Sequence, residues 1–271
     1  WFETGKRDEE WKAIWITPKW EDKNLHPYLR KAFSIQGKIK TARAYVTGMG
    51  LYELEINGSR IGQERLTPYC STYDVWVQYQ TYDITEALNE GKNIIGAMLN
   101  NGWAKGHFGT FGELNTPYID SFALLCELRI TMEDGSVQSI ITDTDWRCKP
   151  SPIIMDNIYD GEIYDSTKEI PGWSGLEYDD SDWDGVKEFD ASGLGKVTDR
   201  LSVPVLVKET IKPMKLIHTP AGETVLDMGQ NMVGWLRIHV QESKGTRIKI
   251  SHGEVLQDGN FYRENLRAAK A

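Results

Sequence analysis

Residues 51–60 read LYELEINGSR. Tyr52, Leu54 and Ile56 alternate with Glu53 and Glu55, the period of a strand that turns one face to a core and the other to water. Asn57-Gly58 then supplies the two positive-φ residues that a two-residue hairpin turn requires, and Ile61 resumes the apolar pattern. Outward from this hairpin the same pattern recurs. Leu124, Cys126, Leu128, Ile130 and Met132 alternate until Asp134-Gly135 turns the chain back into Val137 to Ile141. Leu236 to Val240 and Arg247 to Ser251 form a third alternating pair around Lys244-Gly245. Helical periodicity is nearly absent. The exception is Thr85 to Asn89, where Asp83 or Thr85 can cap a single turn and Gly91 can stop it. Short strands at close spacing, rich in Trp and Tyr, predict an all-β chain built as a β-sandwich.

A chain of 271 residues can bury a substantial core as one large sandwich or two smaller domains. A soft boundary lies between Gly193 and Pro204, where the acidic run Asp179, Asp180, Asp182 and Asp184 has ended and strand patterning restarts at Val205. The expected division is a first sandwich over residues 1–203 and a second, incomplete one over 204–271, which is short for a whole sandwich. The pattern leaves open whether residues 10–40 and 165–200 close the first sandwich or frame it. The chain begins at Trp1 with neither a basic nor an apolar leader after it, so a longer parent is expected.

Composition excludes several classes of partner. Asp and Glu number 40 against 31 Lys and Arg, a net charge of -9 with no basic stripe, so nucleic acid is not expected. No apolar run approaches the roughly 20 residues of a membrane-spanning helix. Cys70, Cys126 and Cys148 are too few and too widely spaced for a disulfide framework or a CxxC zinc site, so buried free thiols are expected, and no compartment follows from them. His26, His107, His218, His239 and His252 never fall at the i,i+4 spacing of a helical metal site, and His239 and His252 lie within alternating strands. No nucleophile elbow, Walker loop or dinucleotide turn is present.

A carboxylate-rich stretch is DNIYDGEIYD, residues 156–165. Asp156, Asp160, Glu162 and Asp165 could serve as a glycosidase acid/base pair, as oxygen ligands of a cation or sugar site, or as an ordinary solvated loop. In a chain with this many acidic residues the solvated loop is the simplest reading.

Several long segments resemble glycoside hydrolase family 78, the bacterial α-L-rhamnosidases. They are DMGQNMVGWLRIHV (227–240) and GTRIKISHGEVLQDGNFYRENLRAAKA (245–271), with RAYVTGMGLYELEINGSRIG, YQTYDITEALNEGKNIIGAMLNNGWAKG and YDGEIYDST upstream, and WFETG and WKAIWI as a lead-in. The resemblance implies a jelly-roll, galactose-binding-like β-sandwich, then a second β-sandwich, then an (α/α)6 barrel that holds the general acid and base of an inverting glycosidase. No residue here matches those barrel carboxylates, so no catalytic residue is assigned and the chain alone is expected to be inactive. Its partners by resemblance are the barrel in cis and, through the parent enzyme, a rhamnose-containing glycan; strands left open in the second sandwich would favour a homodimer.

Two roles remain open: a structural one against the barrel, and a lectin-like one. For the second, LNNGWAKG follows the apolar strand Ile94 to Leu99, so Asn100 and Asn101 leave a strand end and Gly102 allows Trp103 to turn beside them. Asn100, Asn101 and Trp103 are the candidate sugar-binding residues. Since some rhamnosidase modules bind sugar through calcium, Asn100, Asn101, Asp156 and Asn157 are the candidate Ca2+ ligands. The bland alternative is an Asn-Asn-Gly turn with Trp103 in a core.

Overall fold

The computed structural model describes residues 5–7, 9–106, 118–267 and 269–270. In chain order the strands of the first part are β1 (Ile16–Pro18), β2 (Pro27–Ile35), β3 (Ile39–Met49), β4 (Leu51–Ile56), β5 (Ser59–Arg60), β6 (Trp76–Asp83) and β7 (Gly91–Asn100). They continue as β8 (Ala123–Met132), β9 (Val137–Ile141), β10 (Arg147–Pro150), β11 (Ile153–Asn157), β12 (Gly161–Tyr164), β13 (Asp184–Glu188) and β14 (Lys196–Asp199). One layer runs β14-β6-β3-β8-β1 with β9 against β8, and the other runs β10-β2-β7-β4-β5. The strand β13 pairs with both β1 and β10 and so joins the layers. Residues 10–40 and 165–200 therefore close the same sandwich as the middle of the chain, which strand patterning had left open.

The opening hairpin forms as its sequence dictates. Glu55 faces Arg60 and Ile56 faces Ser59, with Asn57 and Gly58 at φ 51° and 82°. Tyr52, Leu54 and Ile56 enter the core between the layers, where they meet Leu124, Cys126, Leu128 and Ile130 of β8 and the buried Trp146. The turn at Thr85–Ala87 is a single 3-10 turn, held by Asp83 Oδ1, which accepts from the Thr85 backbone N–H at 3.0 Å.

β8 is buried on both faces. The N-terminal segment packs across its outer side, where Ala13 and Trp15 cover Met49, Ala123 and Leu125. There Glu127 is fully buried, bonded to Lys6 Nζ and to the Lys12 backbone N–H, each at 3.0 Å. On the outer face of the other layer Tyr28, Trp173 and Trp183 stack, and the buried Arg30 ties that cover down by donating to the carbonyls of Gly175 and Tyr178 at 3.0 Å.

The last quarter differs from its sequence reading. Its strands are β15 (Lys215–His218) with β16 (Thr224–Asp227) and β17 (Val255–Gln257) with β18 (Asn260–Tyr262), two separate hairpins. Leu236–Val240 and Arg247–Ser251 form no strand, although the Lys244-Gly245 turn between them is present. The physical reason is the lack of a covering layer: Leu236, Ile238, Val240, Ile248 and Ile250 are all exposed, and an alternating pair with nothing under its apolar face is marginal. His239 and His252 consequently lie in irregular chain. All three cysteines are free thiols, but Cys70 is exposed because it falls in the irregular stretch between β5 and β6. His107 lies outside the described residues, as do residues 1–4 of the lead-in. Among the described residues no helix is long and apolar enough to cross a membrane.

Candidate functional site

Asn100 ends β7, and the chain folds back over the next six residues, closed by a 2.7 Å hydrogen bond from Gly102 N–H to the Lys105 carbonyl. The opposite wall is β11. Its Asp156 accepts the Asn101 backbone N–H on Oδ1 at 3.1 Å, and its carbonyl accepts the Asn101 side-chain amide at 3.0 Å. His26, just before β2, places Nε2 2.5 Å from the same Oδ1. Lys105 completes the cluster by donating from Nζ to Asn101 Oδ1 at 3.2 Å, with its ammonium 4.3 Å from the centre of the Phe122 ring. Lys105 and His26 are only 6% and 3% exposed, so this cluster is interior. Burial pushes the Lys105 ammonium below its ordinary pKa, against the opposing pull of Asp156, Asp120 and Asp22.

The structure thus brings Asn101 directly onto Asp156, with Asn100 preceding it on the strand. Asn157 follows Asp156 and uses its Oδ1 to accept the Tyr159 N–H at 2.9 Å, turning the β11–β12 hairpin. Trp103 goes elsewhere: it packs, half-buried, against the cluster of Trp15, Met49 and Tyr73 on the outer side of the first layer. Sequence reasoning gave no role to His26 or Lys105. Lys105 lay in the NNGWAKG stretch it had singled out, four residues after Asn101; His26 carried no signal, because only the fold brings it to Asp156.

The candidate calcium donors do not fit a calcium ion as they stand. Asn101 Oδ1, Asp156 Oδ1 and Asn157 Oδ1 already accept hydrogen bonds, and a lysine ammonium supplies the positive charge. Asn100 Oδ1 alone of the four is buried without a partner. Among the described residues no three His, Cys, Asp or Glu side chains gather as a metal site.

Nor do the carboxylates of the 156–165 stretch form an acid/base pair facing an open cleft. Asp156 is committed to His26 and Asn101, and Asp165 caps a 3-10 turn by accepting the Thr167 N–H at 3.0 Å. Glu162 faces Asp156 across the hairpin, and desolvation followed by the Asp156 charge holds its carboxyl above the usual range. What the geometry does is fasten the Asn100–Gly106 turn to the tip end of β11.

Comparison with known proteins is consistent along the chain. The family described as "Alpha-L-rhamnosidase N-terminal domain" matches residues 37–209, and the one described as "Bacterial alpha-L-rhamnosidase concanavalin-like domain" matches residues 217–271. A Streptomyces avermitilis protein named alpha-L-rhamnosidase is 37% identical over 86% of this chain and 23% of its own length. One from Formosa agariphila is 33% identical over 100% of this chain and 30% of its own. The crystal structure of an Aspergillus terreus α-L-rhamnosidase superposes with a TM-score of 0.89 at 36% identity, covering 96% of this chain and 30% of that one. That of the Dictyoglomus enzyme gives 0.85 at 36% identity, covering 98% and 31%. The chain therefore spans less than a third of these relatives. With the sandwich and both matched domains in place, the chain belongs to the α-L-rhamnosidases of glycoside hydrolase family 78, as part of their N-terminal β-region.

Proposed function

We propose that the parent polypeptide hydrolyses terminal α-L-rhamnosyl residues from glycosides or polysaccharides, and that this region is its non-catalytic scaffold, with domains at 1–203 and 204–271. The observation that carries this reading is the contrast between the two parts. The first fills its core and ties many of its buried polar groups into internal bonds, whereas the second exposes Val233, Trp235, Leu236, Ile238 and Val240 along one stretch. A run of that kind is a contact surface for protein. In the parent it is covered by the strands that complete the concanavalin-like domain and by the domain that carries the catalytic carboxylates; in the isolated chain it pairs copies into dimers.

Release of 4-nitrophenol from an aryl α-L-rhamnoside tests the reading. The 271-residue chain is expected to show none, and the same chain extended through the rest of its gene is expected to turn over. Turnover by the short chain that disappears with Glu162→Gln would instead place an acid in the hairpin. The second reading, a sugar site at Asn100, Asn101 and Trp103, draws support from the orphaned Asn100 Oδ1. Calorimetric titration with L-rhamnose decides it, and absence of heat at tens of millimolar sugar leaves these residues structural.

A further inference from the structure

The β11–β12 hairpin belongs to neither layer of the sandwich; it is a two-stranded ribbon of its own. Such ribbons are marginal in water unless held. This one is held at two levels: at its base Ile153 is buried and Asp165 N–H bonds to the Pro152 carbonyl at 2.9 Å, and near its tip Asp156 is gripped by His26 and Asn101. On its outer side and tip it exposes Ile154, Ile158 and Ile163, at 45%, 36% and 53%. A ribbon fixed at base and tip with an apolar outer surface has the attributes of a docking arm, since a solvent-facing ribbon would carry polar residues there.

Where the arm points is marked by the second domain. Lys270 N–H donates to the Tyr159 carbonyl at the hairpin tip at 2.9 Å, and its Nζ lies 3.8 Å from Asp160 Oδ1. Lys244 is close enough to Asp165, at the base, to lower its pKa electrostatically. The second domain thus already borders the ribbon at both ends. Relatives carry more than twice this chain's length beyond what it covers. From these contacts and that length we propose that the apolar surface of the β11–β12 hairpin is a built docking site for the portion of the parent polypeptide that follows residue 271. Its partner face is apolar with basic side chains at the rim, because Asp160 and Asp165 flank the β12 segment that carries Ile163. The same acidic rim, on a chain of net charge -9, disfavours a second copy as the occupant. The proposal rests on the scaffold reading above.

Hydrogen exchange followed by mass spectrometry on residues 153–164 tests it, in this chain and in the chain extended through the rest of its gene. The extended protein is expected to exchange these amides at least about tenfold more slowly, and Ile154→Ser with Ile163→Ser is expected to abolish that protection while protection of β3 and β8 persists. Equal exchange in the two proteins overturns the proposal, as does protection that appears in the short chain merely on raising its concentration. Rhamnosidase activity of the extended protein, measured on the same sample, separates the outcomes: activity without hairpin protection sinks the docking arm alone, and a stable extended protein without activity sinks the scaffold reading.

Discussion

Lys105 Nζ donates a 3.2 Å hydrogen bond to Asn101 Oδ1, and through it a buried ammonium supplies the positive charge between the Asn100–Gly106 turn and Asp156. A divalent cation at this place would have to displace that ammonium and strip the hydrogen bonds from Asn101 and Asp156. We expect calcium to leave the stability of the chain unchanged. A site that binds the folded state stabilises by about 2.7 kcal/mol at a hundred times its Kd, a shift in melting temperature that cannot be missed. Melting in millimolar CaCl2 and in EGTA should therefore coincide, and a rise with calcium in the native chain would show that Lys105 yields its place.

The ion pair of Lys6 and Glu127 gives a second prediction. Both side chains are sealed from water, at 1% and 0% exposure, with the charged groups 3.0 Å apart. Breaking such a pair from one side leaves the other charge desolvated and costs about 3–5 kcal/mol. Lys6→Met should destabilise by that order in urea titrations, and Lys6→Met with Glu127→Leu should recover most of the loss. Additive losses in the double variant would mean that the pair is not coupled.

These residues also show what a sequence can and cannot disclose. The hairpins at Asn57-Gly58 and Asp134-Gly135 were legible because their signals are local: alternation sets the face and the turn residues set the reversal. The last alternating pair, Leu236–Val240 with Arg247–Ser251, carries the same local signal, yet no strand forms where no second layer covers it. Alternation specifies a face, and the face becomes structure only against a partner. In the candidate site, Asn101 and Asp156 could be suspected from residue type, but His26 could not, because its contact with Asp156 spans 130 residues that the topology alone brings together, and Lys105, four residues from Asn101, gains its place only once Asn101 meets Asp156 across 55 residues.

Buried phenols predict how the fold responds to alkali. Burial raises Tyr28 and Tyr82 to about 12 and also lifts Tyr52 well above the ordinary value of 10.0. A phenol whose folded pKa lies above its unfolded one contributes its full stability below pH 10 and loses it as the pH climbs toward the folded value. Tyr82 alone would forfeit roughly 2–3 kcal/mol between pH 10 and 12. Urea midpoints should hold steady to about pH 10 and then fall, with tyrosinate absorbance at 295 nm rising together with unfolding. Ionisation of the buried tyrosines as well as the exposed ones while the chain stays folded would contradict it.

Gly96 is where the sandwich tolerates least. It lies in the middle of β7, paired with Arg30 on one side and Glu55 on the other, with an ordinary strand backbone that any residue can adopt. Its need for glycine is one of space. A Cβ at this position would come within 2.5 and 2.7 Å of the Trp173 ring and 3.4 Å of Ser174 Cβ. The indole cannot swing aside, because it stacks on Tyr28 at 4.2 Å between ring centres and meets Trp183 at 6.4 Å on the same cover. Alanine would gain several tenths of a kcal/mol by restricting the unfolded chain, but overpacking of this kind costs about 1–3 kcal/mol, so the clash wins. Gly96→Ala should therefore lower the urea midpoint and loosen the 170–183 segment to limited proteolysis. In Gly96→Ala with Trp173→Leu the steric part of the loss should vanish, so that the added alanine costs less beside leucine than beside tryptophan. An alanine that is neutral or stabilising in the native background would show that the Trp173 cover is mobile, and that the second layer is closed by Arg30 and its bonds to Gly175 and Tyr178 alone.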